Sequence, residues 1–461
     1  MTGQIAFEKI AQTRDELKKL ALDIWNNPEL PWHEYKASAW TADMLEKYGF
    51  NVERGYKGLK TAVHATWGEG YPHIGFFGEY DALPGMSQEV SPVRKAIVEG
   101  GPGHGCGHNL LGTACVGAVI GLKEEMEKTG VKGTIHFYGC PAEEDGSPGK
   151  TFLVREGAFK ELDSAIFWHP SSGNAATIGR MTATNNIDFI FRGRTSHAAV
   201  APQHGRSALD AVELMNVGAN YLREHLNEDV RMHYIITDGG AAANIVPDYA
   251  SSHYTIRSVS REYLSEVYDR LCKVAQGAAT MTETEVEIIY TGGCYNTLNM
   301  RTLAEVAQRS LDAAPFEEWS EEDKAFAEAL NMSEPGTYQA AIRRQGFKPG
   351  QHLAVGQGPM RTKDGGGSSD VGDVGNMIPG VNIGAATAPL AAMPHLWQFT
   401  AASGHEIGIK GMIYAAKVMA HFGLELMHDT SIIDRAKEEF AIARAGLTYM
   451  NTCPDNMPIP E

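Results

Sequence analysis

No run in this chain approaches the roughly 20 consecutive apolar residues that a bilayer-crossing helix needs, which excludes a membrane-embedded protein as an expectation. The amino terminus, MTGQIAFEKIAQTRDELKKL, interleaves charge with its apolar positions and has no continuous hydrophobic segment of the signal-peptide kind. Basic charge is short as well: 40 Lys and Arg stand against 57 Asp and Glu, a formal net charge of −17. Phosphate-backbone binding needs clustered cations that release counterions, so nucleic acid is not an expected partner. Cysteine is sparse: Cys106, Cys115, Cys140, Cys272, Cys294 and Cys453 lie scattered through 461 residues. That excludes the dense disulfide framework of a small secreted domain and fits a reducing cytoplasm. Internal repeats are absent too.

What the chain does have is enough apolar content for a large core, 43% of its residues, over a length that points to two domains. HIGFFGEYD (73–81), TIHFYGCPAEE (134–144), SAIFWHP (164–170) and VNIGAA (381–386) are short, nearly continuous apolar runs, the pattern of strands covered on both faces. Between the first two, NLLGTACVGAVIGLKEEMEKTG (109–130) repeats small and aliphatic residues at helical spacing and stops at Gly130. Strand, loop, helix and strand in that order predict a doubly wound, largely parallel α/β sheet. From residue 185 the pattern changes to alternating strands, IDFIFRGR, MHYIIT, SSHYTIRSVS and EVEIIYTGG, around a helical GRSALDAVELMNVGANYLREHL. Alternation predicts a sheet covered on one face only, a smaller α+β domain inserted into the first. The expected division is 1–184 and 294–461 for the larger domain and 185–293 for the insertion. Residues 315–367 are polar, with PFEEWSEEDKAFAEAL reading as a helix, and TKDGGGSSD after it reads as a flexible loop.

The chemistry centres on GHGCGHNLLG (103–112), which sets His104, Cys106 and His108 at alternate positions. In open α/β sheets, functional groups gather beyond the carboxyl ends of the strands. Polar residues stand there in this sequence: Asp81, the pair Glu143 and Glu144, and His169; His395 follows in AAMPHLWQF. Cys106, His108, Glu144, His169 and His395 form a mixed sulfur, nitrogen and oxygen donor set suited to zinc, manganese or cobalt, with the thiolate favouring zinc. The set exceeds what one tetrahedral ion needs and predicts two divalent ions with a water between them. Of two adjacent carboxylates, one can bind a cation while the other accepts a proton, as metal-assisted hydrolysis requires. Asp81 and His104 are expected beside the ligands rather than among them.

With GEYDALPG, GHGCGHNLLGTA, FYGCPAEE, FWHP, GRTSHA, GGAAANIVP and the His395 region in place, nearly the whole chain resembles the M20 metallopeptidases and amidohydrolases, in the branch with a Cys-x-His element. The resemblance implies a catalytic domain carrying a lid and dimerisation domain, and two metal ions on Cys106, His108, Glu144, His169 and His395 with the thiolate shared. It makes Glu143 the general base for a metal-activated water. It also implies that His197 of TSHAA reaches the scissile carbonyl across a homodimer interface, that Asn244 of NIVP hydrogen-bonds the oxyanion, and that Arg257 of TIRS pairs with the substrate carboxylate. The loop GGGSSDVGDVG, with Asp370 and Asp373, departs from the glutamate-containing loop of the auxin-conjugate branch, and the 315–367 stretch is longer than in that branch.

The expected activity is hydrolysis of the amide bond of an N-acyl amino acid, such as an aminobenzoyl-glutamate-like conjugate, or of a dipeptide. The alternatives are a dipeptidase that releases a basic amino acid, a non-catalytic amide or peptide binder, and a cysteine hydrolase with Cys106 as nucleophile. A pure binder has no use for a free base beside the ligands, and a nucleophilic Cys106 needs an activating histidine and a thiolate free of metal.

Overall fold

The structure, a computed structural model, describes residues 3–460. Eleven strands follow in chain order: β1 (Asn51–Arg54), β2 (Val63–Glu69), β3 (His73–Glu79), β4 (Gly133–Cys140), β5 (Ser164–Ser171), β6 (Ala175–Thr177), β7 (Ala183–Arg192), β8 (Arg231–Asp238), β9 (Tyr249–Ser258), β10 (Glu285–Cys294) and β11 (Gly380–Ala386). They form two sheets.

The seven-stranded sheet has the order β1-β2-β4-β3-β5-β11-β6. Its central strands β4, β3, β5 and β11 run parallel, and antiparallel pairs close both edges. The apolar runs explain why this sheet lies inside the molecule. Ile74 and Phe76, Ile135 and Phe137, Ile166 and Trp168 pack into one core layer. Their neighbours Phe77, Tyr138 and Phe167 pack into a second layer on the opposite face. Strands with apolar side chains on both faces need helices on both, and the doubly wound arrangement supplies them.

The helix His108–Thr129 is buried nearly all round and lies along the buried helix Glu406–His428. It ends as the sequence predicts, with Gly130 in the left-handed region at φ 73° and its N–H donating to the Met126 carbonyl. Its glycines set how closely it approaches the sheet: a Cβ at Gly112 would lie 2.6 Å from the Glu79 carbonyl oxygen.

The second sheet, order β10-β7-β9-β8, is wholly antiparallel. The helices Ala208–Arg223 and Arg261–Thr282 cover one face of it and share its core with Ile187, Phe189, Phe191 and Ile256. Strand β8 is an edge strand with exposed Ile235 and Ile236, and Leu214, Val217 and Tyr221 form an exposed stripe on the first of these helices.

In the polar stretch, the helix Glu321–Met332 carries a full capping box between Ser320 and Asp323, and a further helix spans Pro335–Gln345. The glycine-rich loop that follows is irregular but not loose. Gly365 N–H donates to the Arg180 carbonyl (2.8 Å) and Thr182 N–H to the Gly367 carbonyl (3.0 Å). Composition predicts freedom here; pairing with a distant segment removes it. Among the described residues no helix is long and apolar enough to cross a membrane.

Candidate active site

The donor residues stand at the carboxyl edge of the central strands, each placed by a local feature of the chain. Cys106 lies in the turn before the long helix, and Gly107, at φ 77°, lets that turn close so that His108 opens the first helical turn. Ala142 takes the uncommon φ of 56° just after β4, which turns the chain sharply at the Glu143-Glu144 pair. Its N–H donates to Glu34 Oε1 at 2.8 Å, and Thr61 donates to the other oxygen of the same buried carboxylate. His395, at φ 67°, is tied by its N–H to the Gly105 carbonyl (2.9 Å) and so joins the Cys106 turn.

These elements bring Cys106, His108, Glu144, His169 and His395 together. One ligand atom from each of Cys106, His108 and His169 lies within 4.8 Å of the others, and the same holds for Cys106, Glu144 and His395, so the sulfur is common to both groups. Cys106 Sγ stands 3.4 Å from His169 Nε2, and Glu144 Oε1 stands 3.3 Å from His395 Nε2. Each buried imidazole is oriented through its other nitrogen. His108 Nδ1 donates to Asp81 Oδ1 at 2.7 Å, and His169 Nδ1 donates to the Pro170 carbonyl at 2.7 Å. That turns the Nε2 of each inward, the usual orientation of metal-binding histidines. Asp81 also accepts from the Glu144 N–H (2.9 Å), so it braces two donors. His104 is tied through Nε2 to the Ile24 carbonyl (3.2 Å), and burial pushes its pKa down to about 3, so it is neutral.

Within this set, His108 Nε2 and Glu144 Oε1 are buried without a hydrogen-bond partner. A buried polar atom left unpaired costs about 1–3 kcal/mol. The chemistry of the set, one thiol with imidazoles and a carboxylate around a shared sulfur, fits a pair of divalent cations. Burial, and then the Glu144 charge, push the Cys106 thiol up, so ionising it calls for a cation at this spot.

Glu143 Oε2 is 4.0 Å from His108 Nε2, within reach of the cluster. Burial, followed by the charges of Glu79 and Glu144, raises its pKa well above the usual carboxylate range. Glu144 goes the other way: His395 and His108 outweigh its burial and hold it ionised. Two adjacent carboxyls are thus driven apart in proton affinity, one suited to hold a cation and one to carry a proton.

A cavity of about 1010 Å³ opens over this cluster and takes in Cys106, Glu143, Glu144, His169, His395 and Arg257. Arg257 reaches it from β9, with Nη1 donating to Ser368 Oγ at 2.6 Å. His197 and Asn244 are elsewhere. They are neighbours, joined by a bridge between His197 and Ile245 and by the Ala198 N–H donating to the Asn244 carbonyl (3.1 Å), and both are exposed. Neither lines the cavity of its own chain.

Sequence reasoning passed over the support behind Glu143. Lys150 is fully buried, and its Nζ donates to Glu79 Oε1 (2.5 Å) and Asp370 Oδ1 (2.6 Å). Burial alone would lower the Lys150 pKa, but Asp370 and Glu79 reverse this and keep it charged. Glu79 Oε2 in turn lies 3.3 Å from His108 Nε2. The only signal for Glu79 is its place in GEYD, two residues before Asp81.

A thiol, imidazoles and paired carboxylates at the carboxyl edge of a doubly wound sheet belong to an amide-bond hydrolase of the metallopeptidase class. Residues 75–323 match the peptidase family M20/M25/M40, and the chain belongs to that family. It is 36% identical to one of the p-aminobenzoyl-glutamate hydrolase subunits of Escherichia coli (strain K12), over 98% of this chain and 96% of that one. It is 28% identical to the Xaa-Arg dipeptidase of Mus musculus, over 97% of this chain and 94% of the relative. Among solved structures, a dinuclear metal binding peptidase from the M20 family of Bacillus subtilis shares the fold at a TM-score of 0.60, with 18% identity, covering 91% of this chain and 99% of that one.

Proposed function

We propose that the protein is a metal-dependent amidohydrolase that cleaves the amide bond of an N-acyl amino acid of the aminobenzoyl-glutamate kind and releases the terminal amino acid. The observation that carries this reading is the pair of donor groups sharing Cys106 with Glu143 beside them. Cys106, His108, Glu144, His169 and His395 would hold two divalent ions, zinc before manganese or cobalt because of the thiolate. When bound, such ions polarise the amide carbonyl and make water a nucleophile at neutral pH. Glu143 takes the proton of the attacking water and returns it to the departing amine, for which a raised carboxyl pKa is suited. Arg257 receives the terminal carboxylate with its planar fork, and Ser368 holds one edge of that fork in place.

In this reading residues 185–293 are a lid and dimerisation domain, and 1–184 with 294–461 the catalytic domain. His197 and Asn244 serve the partner's cavity in a homodimer, His197 at the scissile carbonyl and Asn244 at the oxyanion. Their exposure away from their own cavity supports this, as do the apolar edge of β8 and the exposed stripe of Leu214, Val217 and Tyr221. The Escherichia coli relative is named as a subunit, so a second, related chain is the other candidate partner. Free thiols at all six cysteines suit a reducing cytoplasm.

The test is Glu143→Gln. It should leave metal content near that of the unaltered protein while turnover of N-acyl amino acids falls by about 10²- to 10⁴-fold. Near-normal turnover in the fully metallated variant removes Glu143 from the reaction.

A further inference from the structure

Residues 354–363 form a continuous strap that lines the cavity. Its backbone is fastened to the edge of the main sheet: Arg361 N–H donates to the Ala176 carbonyl (2.9 Å), and the Arg361 carbonyl accepts from Ile178 (2.8 Å) and Gly179 (3.0 Å). The Arg361 side chain then reaches over the strand ends. Its Nη2 donates to Ser171 Oγ (2.8 Å) and the Gly173 carbonyl (3.1 Å). The guanidinium lies against Gly384, where a Cβ would meet Nη1 at 2.9 Å, and Gly384 is the β11 partner of His169. Arg361 therefore stands at the carboxyl ends of β5 and β11, one strand from a residue of the donor cluster.

Its protein partners are both neutral. Among the described residues no carboxylate comes within 4.0 Å of Arg361, whereas Arg180 nearby is matched by Asp364 at 2.6 Å. Arg344 and Lys363 line the same cavity and form no ion pair among the described residues either. Arg361 is solvent-exposed where it lines the cavity, so an arriving anion meets a guanidinium that no carboxylate of the chain already matches. In a chain of net charge −17 these unmatched cations are a local exception.

Resting on the amidohydrolase reading, we propose that Arg361 binds a second carboxylate of the substrate, so that the preferred substrates are N-acyl amino acids with two anionic groups, one at Arg257 and one at Arg361. The second carboxylate belongs either to the side chain of the released amino acid or to the acyl part. A basic released residue, as the mouse relative's name describes, would face these cations directly.

Three substrates separate the cases with zinc-loaded protein: benzoyl-alanine, benzoyl-glutamate and 4-carboxybenzoyl-alanine. The expected result is a KM about 10- to 100-fold lower for one of the two dianions than for benzoyl-alanine, the range of one charge-assisted pair, and which dianion wins identifies the source. Arg361→Met should collapse that preference by raising KM for the favoured dianion, with kcat little changed, and Arg361→Lys should restore part of it. Equal KM values for all three substrates, or equal losses on all three in the Met variant, would overturn the assignment. If none of the three is cleaved, it is the amidohydrolase reading that fails. Calorimetric binding of the two dianions then decides Arg361 separately: tighter binding by the unaltered protein than by Arg361→Met upholds it, and equal binding refutes it.

Discussion

Lys150→Met isolates the charge of a residue that touches no substrate. Methionine is close to lysine in length and unbranched, so the change removes an ammonium and its donors with little change in volume. The side chains of Lys150 and Asp370 are 0% exposed and that of Glu79 4%, so water cannot replace what is lost. Two carboxylates are left facing each other without their cation. Removing one partner of a buried ion pair costs about 3–5 kcal/mol, against about 0–1 kcal/mol for an exposed pair. All seven tryptophans lie outside residues 185–293, so their fluorescence in urea reports on the larger sheet and its helices rather than on the smaller one. With a slope of about 3 kcal/mol per M, the midpoint should fall by roughly 1–2 M. The measurement belongs in chelator, so that metal binding does not contribute. Lys150→Met with Asp370→Asn removes one of the stranded carboxylates and should recover part of the loss, a coupling expected of groups in one network. A cost below about 1 kcal/mol for the single variant, or no recovery in the double one, would refute the argument that the cluster is dry and charged.

Two further outcomes follow from the donor cluster and from the exposed pair in the smaller domain. Cys106→Ser should weaken metal binding, since an alcohol ionises poorly and replaces a thiolate badly; metal per chain after dialysis measures this, and full occupancy with full activity would make Cys106 structural only. Mixing His197→Ala with Glu143→Gln should regenerate activity toward half the unaltered value per heterodimer, because one of its two sites carries neither defect. If native mass spectrometry shows exchanged subunits and no activity returns, His197 does not act across an interface.

The parts of the molecule that sequence reveals are those whose cause is local. β3, β4, β5 and β11 were visible because a strand covered on both faces must be apolar along its length; Glu143, Glu144 and His169 stood out because they follow such runs directly, and Cys106 and His108 because they alternate with glycines just before a helix. Lys150 did not, since a lone lysine between Gly149 and Thr151 looks like any surface lysine, and it is buried only because Asp370, 220 residues away in sequence, meets it. Glycines in 362–370 suggested freedom, although hydrogen bonds to 180–182 hold that segment in place. Arg361 was invisible for the same reason: its neighbours Ser171 and Gly384 come from elsewhere in the chain.

Gly112 sits one turn beyond His108, pressed against the end of β3 from which Glu79 and Asp81 extend. Its missing side chain works as a spacer that sets the height of the donor-bearing helix end above the sheet. A survey of loss-of-function variants would therefore mark position 112 as strongly as any reactive residue, although it has no group that could react. Sensitivity there would measure a distance between two backbones, and a screen that equates sensitivity with chemistry would misassign it.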